Sequence, residues 1–147
     1  MTTVSQVLLQ KGPDVWQVSP DTTLRAALKL MSQKKIGAVM VCQGEKVVGI
    51  FSERDFARTV AEEENLALDT PVNKLMTELI FYVDPEKSMD DCMALMTEKH
   101  IRHLPVIQNG HLTGLISIGD VVKEIITEKD ISIHSLENYI LGRDYNQ

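Results

Sequence analysis

Apolar residues along this chain fall into a pattern that is laid down once and then laid down again. A short apolar run, Val15–Val18, is closed by Ser19-Pro20, where a fixed φ and a missing N–H stop a strand. Leu24, Ala27, Leu28 and Met31 follow at i, i+3, i+4 and i+7. That spacing predicts a helix with one apolar face lying on a sheet. Two β-type runs come next, Gly37–Cys42 and Val47–Phe51, with Gly44 between them as a hairpin turn requires. The unit closes with a helix over Glu53–Glu63. Further along, the same order returns. A strand Ile80–Val83 ends at Asp84-Pro85, and Met89, Cys92, Met93 and Met96 repeat the helical stripe. His103–Ile107 and Leu112–Ile116 flank an Asn109-Gly110 turn, and a helix runs over Ile118–Glu128.

The repeat is visible residue by residue. Val15–Val60 align without a gap on Ile80–Ile125 at a constant offset of 65, with 11 of 46 pairs identical. The predicted fold class is α/β (α+β): two strand–helix–strand–strand–helix units related by a pseudo-twofold axis. The expected organisation is unit one over 3–65, unit two over 66–128 and a C-terminal helix or tail over 129–147. Thr70-Pro71 predicts an N-cap with Pro in the first helical position, opening a short helix through Val72, Leu75 and Met76. Thr3, Val4, Val7 and Leu8 are its counterpart at an offset of 68, so the first copy carries extra residues near Lys11-Gly12-Pro13-Asp14. In the tail, Ile133, Leu136 and Ile140 sit at helical spacing, suited to covering the core or meeting a partner.

Composition narrows the function classes. The net charge of −6 argues against a nucleic-acid partner, which needs clustered Lys and Arg to release counterions. No apolar run approaches the roughly 20 residues that span a bilayer. Cys42 and Cys92 form no CxxC pair and fall in apolar runs, so they read as buried thiols of a reducing compartment. The first residues lack the marks of a signal or transit peptide, and the expected location is the cytoplasm. There is no P-loop, GxGxxG, nucleophile elbow or HExxH, so no catalytic residue is assigned and an enzyme is not expected.

Candidate chemistry concentrates where each hairpin enters its last helix. Gly49-Ile-Phe-Ser52-Glu-Arg-Asp55 is repeated as Gly114-Leu-Ile-Ser117-Ile-Gly-Asp120. Ser-x-x-Asp at this place is a capping box, with Ser at the N-cap and Asp at N3. Capping and binding are compatible. A helix N-terminus offers unpaired N–H groups and a positive dipole end to a phosphate, and a carboxylate one turn in can accept both hydroxyls of a ribose. Gly49 and Gly114, with no side chain, allow another chain or a ligand to come close.

The doubled unit ending in Gly-h-h-Ser-x-x-Asp resembles a tandem pair of CBS domains, a Bateman module, over residues 3 to about 128. The resemblance implies a CBS-pair module that commonly forms a homodimer. It also implies two symmetry-related clefts for adenosine-containing ligands such as AMP, ADP, ATP, NAD(H) or S-adenosylmethionine, with AMP and NAD(H) favoured here. The family's ribose-binding Asp maps onto Asp55 and Asp120, and its Ser onto Ser52 and Ser117.

Family members often place basic residues before the middle strand to meet phosphate. Arg102 and His103 match that use, whereas Gly37 and Ala38 do not, and the family's usual Pro is present as Pro105 but replaced by Met40. The resemblance therefore implies a better cleft built from Asp120, Ser117, Arg102 and His103, with Gly37 and Ala38 leaving room for the base and Trp16 at its edge. The other would draw on Asp55, Ser52 and Arg54, with Phe81 in a strand beside the base. Each residue has a plainer reading: Arg102 as a surface ion pair, His103 as a structural histidine, Arg54 and Arg58 as a solvated face, and Trp16 as edge packing. His100 and His103 lack a third ligand, so no metal site is expected.

The leading expectation is a non-catalytic regulatory module that senses an adenine nucleotide and relays it through dimer geometry or a client protein. The alternative is a ligand-free scaffold that binds another protein, with the 132–141 segment as its contact.

Overall fold

The computed structural model of the protein describes residues 1–12, 14–78 and 81–128. Along the chain the elements are α1 (Val4–Lys11), β1 (Gln17–Val18), α2 (Leu24–Lys34), β2 (Ala38–Gln43), β3 (Lys46–Ser52), α3 (Glu53–Glu62), a 3-10 turn (Val72–Lys74), β4 (Thr77–Glu78), α4 (Met89–Lys99), β5 (His103–Gln108), β6 (His111–Ser117) and α5 (Ile118–Glu128). The repeated order of strand, helix, strand, strand, helix is present in this mixed α+β fold. The expected tail helix lies outside the described residues, as do Pro13, Leu79 and Ile80.

The described residues fall into two compact units, each built mainly from one repeat. The first-repeat unit holds residues 14–78, 81–82 and 107–114. Its sheet runs β1-β2-β3-β4, with β1 parallel to β2 and the other pairs antiparallel. Gly44 closes the β2–β3 turn at φ 62, a left-handed conformation that suits glycine. Leu24, Ala27 and Met31 of α2 pack on Val39 and Val41 of β2, Phe51 of β3, and Val72 and Leu75. The helical period puts the first three on one face, and the alternation of the strands meets it.

The second-repeat unit holds residues 1–12, 83–106 and 115–128. Met89, Cys92 and Met96 of α4 are buried, together with Leu104, Val106, Ile116 and Val121. Met93, expected on that stripe, is 38% exposed; it lies at the border of the apolar arc, so the buried stripe is narrower than the spacing suggested. β5 and β6 form a two-stranded sheet joined by Asn109 (φ 53) and Gly110 (φ 78). Two consecutive positive φ values are what a tight hairpin turn demands. Helix α1 belongs to this unit: Val4 and Val7 are buried, and the Val4 and Ser5 N–H groups donate to the Lys87 and Pro85 carbonyls at 2.8 and 2.9 Å.

Three local expectations change. The helix expected from Thr70-Pro71 through Met76 is a single 3-10 turn, with Pro71 extended at its cap and no side-chain cap bond. Its first N–H groups are used elsewhere, Val72 donating to the Thr22 carbonyl and Asn73 to that of Pro20. The strand expected over Val15–Val18 is confined to Gln17–Val18. In the second copy, Val83 makes one parallel bridge to Val106.

Candidate functional site

The two Ser-x-x-Asp motifs sit where β3 enters α3 and where β6 enters α5, with Ser52 and Ser117 as the last strand residues. In the first-repeat unit, the Asp55 N–H donates to Ser52 Oγ at 3.2 Å, and Asp55 Oδ2 accepts from the Ser52 N–H at 2.9 Å. The same pair recurs as Asp120 N–H to Ser117 Oγ at 3.2 Å and Ser117 N–H to Asp120 Oδ2 at 2.9 Å. Both are reciprocal capping boxes, and they fix the two carboxylates at a helix N-terminus.

The residues before each middle strand brace this corner. The Gly37 carbonyl accepts the Glu53 N–H at 3.0 Å, and the Arg102 carbonyl accepts the Ile118 N–H at 2.8 Å. Thus the start of the helix and the start of the middle strand are tied by backbone alone in both repeats, whatever side chain stands there. In the first-repeat unit Ala38 is buried opposite Ser52, and Arg54 lies exposed in the first turn of α3. Phe81 of this unit is partly buried just beyond β4. In the second-repeat unit Arg102 is exposed and His103 partly buried at the start of β5.

Trp16 belongs to the first-repeat unit. It is partly buried against the core, and Lys34 Nζ lies 4.2 Å from its ring centroid. That cation–π contact engages one face of the ring.

What distinguishes the two sites is a third partner that the motif does not announce. Thr77 Oγ1 donates to Asp55 Oδ1 at 2.9 Å, while Ser52 Oγ donates to Oδ2 at 2.9 Å. Asp55 is therefore held through both oxygens and is 8% exposed. At Asp120 the partner is a cation: Lys11 Nζ lies 2.8 Å from Oδ2 and donates also to the Leu115 carbonyl at 2.8 Å. Among the described residues, the hydrogen bonds to Asp120 fall on Oδ2, and its side chain is 22% exposed. Burial pushes the Asp120 carboxyl up, but the Lys11 ammonium and the Ser117 N–H and hydroxyl outweigh it, holding the group below the usual carboxylate range.

Sequence reasoning missed both Lys11 and Thr77. Lys11 ends the short helix that leads the first repeat and Thr77 follows the 3-10 turn that leads the second, and the shift of offset from 65 to 68 was the only sign that these segments differ. Among the described residues, no group of three or more His, Cys, Asp or Glu could hold a metal ion, and no helix is long and apolar enough to cross a membrane. The Cys42 and Cys92 thiols are free and buried. Burial pushes Cys42 up; burial, then the nearby Asp91 charge, pushes Cys92 up to about 11.

The CBS domain family model matches residues 4–62 and again 72–127. The chain belongs to the CBS domain family, as two tandem copies. It is 36% identical over 151 residues to the mitochondrial CBS domain-containing protein CBSX3 of Arabidopsis thaliana, covering 96% of this chain and 73% of the relative. A solved structure of a protein with CBS domains from Burkholderia ambifaria is 44% identical with a TM-score of 0.82, covering 90% of this chain and 99% of that one. The structure of CBSX2 in complex with AMP is 27% identical with a TM-score of 0.72, covering 88% and 99%.

Proposed function

We propose that this protein is a non-catalytic regulatory module that binds an adenine nucleotide, AMP or NAD(H), and passes occupancy on through homodimer geometry or a client protein. The observation that carries the reading is the Asp120 corner. There a carboxylate is fixed at a helix N-terminus by a reciprocal Ser117 pair, with Oδ1 clear of those bonds. A ribose presents a vicinal diol, which needs acceptor positions on the carboxylate. The helix end and its dipole suit the phosphate. Asp55 repeats the geometry with both oxygens already engaged, so it is the weaker of the two sites. The AMP-bound relative supports an adenine nucleotide as the ligand class.

The test is thermal unfolding of the pure protein against AMP, ADP, ATP, NAD, NADH and S-adenosylmethionine. A ligand at 100 times its dissociation constant adds about 2.7 kcal/mol, on the order of 10 °C in Tm for a chain this size. AMP or NAD(H) should give that shift, and Asp120→Ala should remove most of it, while Asp55→Ala removes less. Shifts from none of these compounds, with no nucleotide released on denaturation, would replace this reading with a ligand-free scaffold.

A further inference from the structure

The third partner of the motif carboxylate differs in charge between the two repeats, and that difference bears on which ligand each site accepts. Lys11 is the last residue of α1, held by a helix that is itself anchored in the second-repeat unit. Its ammonium bridges the Asp120 carboxylate and the Leu115 carbonyl, both at 2.8 Å, with the side chain 39% exposed. Thr77 supplies a neutral hydroxyl in the corresponding role at Asp55.

A bare carboxylate repels an anion brought within a few Å, and a chain of net charge −6 gives that anion no general help. A lysine paired to the carboxylate cancels the repulsion locally. An ammonium carries three donors, and among the described residues two are taken by Asp120 and Leu115, leaving the third for an incoming oxygen.

We propose that Lys11 is a specificity-determining residue of the Asp120 site, selecting phosphorylated nucleotides over uncharged nucleosides. This rests on the reading that Asp120 takes the nucleotide ribose. It adds that the N-terminal helix, outside the repeated motif, sets the charge preference, and that the Asp55 site, with Thr77, discriminates less between AMP and adenosine.

The experiment is calorimetric titration of the 147-residue chain with AMP and with adenosine, reading the component lost in Asp120→Ala. Wild type should bind AMP more tightly than adenosine. Lys11→Met should cut the AMP-to-adenosine preference about tenfold, the scale of one charge-assisted contact, while Lys11→Arg should keep most of it. A purely structural Lys11–Asp120 pair would weaken both ligands by the same factor, and a lysine that merely competes with ribose would on removal strengthen both. Either result, with Asp120-dependent AMP binding intact, overturns the role of Lys11 and leaves the nucleotide reading standing. Absence of Asp120-dependent binding of either ligand overturns both. Thermal unfolding of each variant verifies the fold, and Lys11→Gln, which also removes the charge, carries the test with the same expected outcomes if Lys11→Met does not fold.

Discussion

At the scale of single residues, Gly49 shows how a motif position acquires its identity from a neighbour rather than from its own backbone. It is not among the residues with positive φ, so backbone conformation does not demand glycine there. Space does: a Cβ at this position would stand 2.7 Å from the Thr77 carbonyl oxygen and 2.8 Å from Met76 Sδ. The methionine can swing away, but the carbonyl belongs to β4, which pairs with β3 at Gly49. Gly49→Ala should therefore cost about 1–3 kcal/mol, lowering Tm by roughly 2–4 °C per kcal/mol. It should also loosen the Thr77 bond to Asp55. A Tm within a degree of wild type would mean that β4 moves aside freely. The glycine, serine and aspartate of this corner were legible in the sequence because they lie close together and recur. The residues that complete the corner were not, since Lys11 and Asp120 are separated by 109 positions and Thr77 and Asp55 by 22. No local pattern encodes such contacts.

At the scale of elements, four of the five α-helix starts among the described residues follow one device, while α2 has only the Thr23 hydroxyl accepting the Ala26 N–H. Thr3 with Gln6, Ser52 with Asp55 and Ser88 with Asp91 are reciprocal boxes, and Ser117 with Asp120 makes the same two bonds. Ser88-x-x-Asp91 thus matches the proposed sites in local geometry, and the Ser88 pair pulls the Asp91 carboxyl below its usual range. It has no preceding Gly-bearing strand, and none of its hydrogen bonds among the described residues brings a third group onto the carboxylate from a distant segment. The box alone is a folding signal; the box plus strand plus third partner is what sets the two proposed sites apart from it. Ser88→Ala should accordingly cost about 1 kcal/mol of stability and leave AMP affinity unchanged. A loss of AMP binding with Ser88→Ala would show that the helix cap, rather than the carboxylate's surroundings, controls the site. The helix periods and hairpin turns were legible here, because tertiary packing agreed with local pattern. The short helix at Thr70-Pro71 was misread because its N–H groups are taken by Thr22 and Pro20, partners no window of sequence contains.

At the scale of the whole molecule, the sequence repeat and the compact units do not share boundaries. The segment that leads the first repeat packs with the second: Thr3, the N-cap of α1, bridges Ser88, the N-cap of α4. The segment that leads the second repeat packs with the first: Pro71 bridges Thr23, the N-cap of α2. These are the same pair of positions at offsets of 68 and 65, so the exchange is itself part of the symmetry. The alignment revealed the two copies but not the exchange, because a repeat fixes which residues correspond and not which copy each segment joins. The exchange has an energetic consequence. Val4 is fully buried, yet it belongs to the segment that leads the first repeat, and its N–H donates to the Lys87 carbonyl ahead of α4. Truncating it to Ala should cost about 1–3 kcal/mol through lost burial and the cavity left behind. Native-state hydrogen exchange locates that cost, since compact segments open as cooperative units. Amides of α4, β5 and α5 should lose protection by about tenfold per 1.4 kcal/mol, while those of β2 and β3, more than thirty residues along the chain from Val4, should hold. Equal loss in β2 and β3 would mean that the two units open as one, and that the N-terminal helix stabilises the chain as a whole rather than the repeat it packs on.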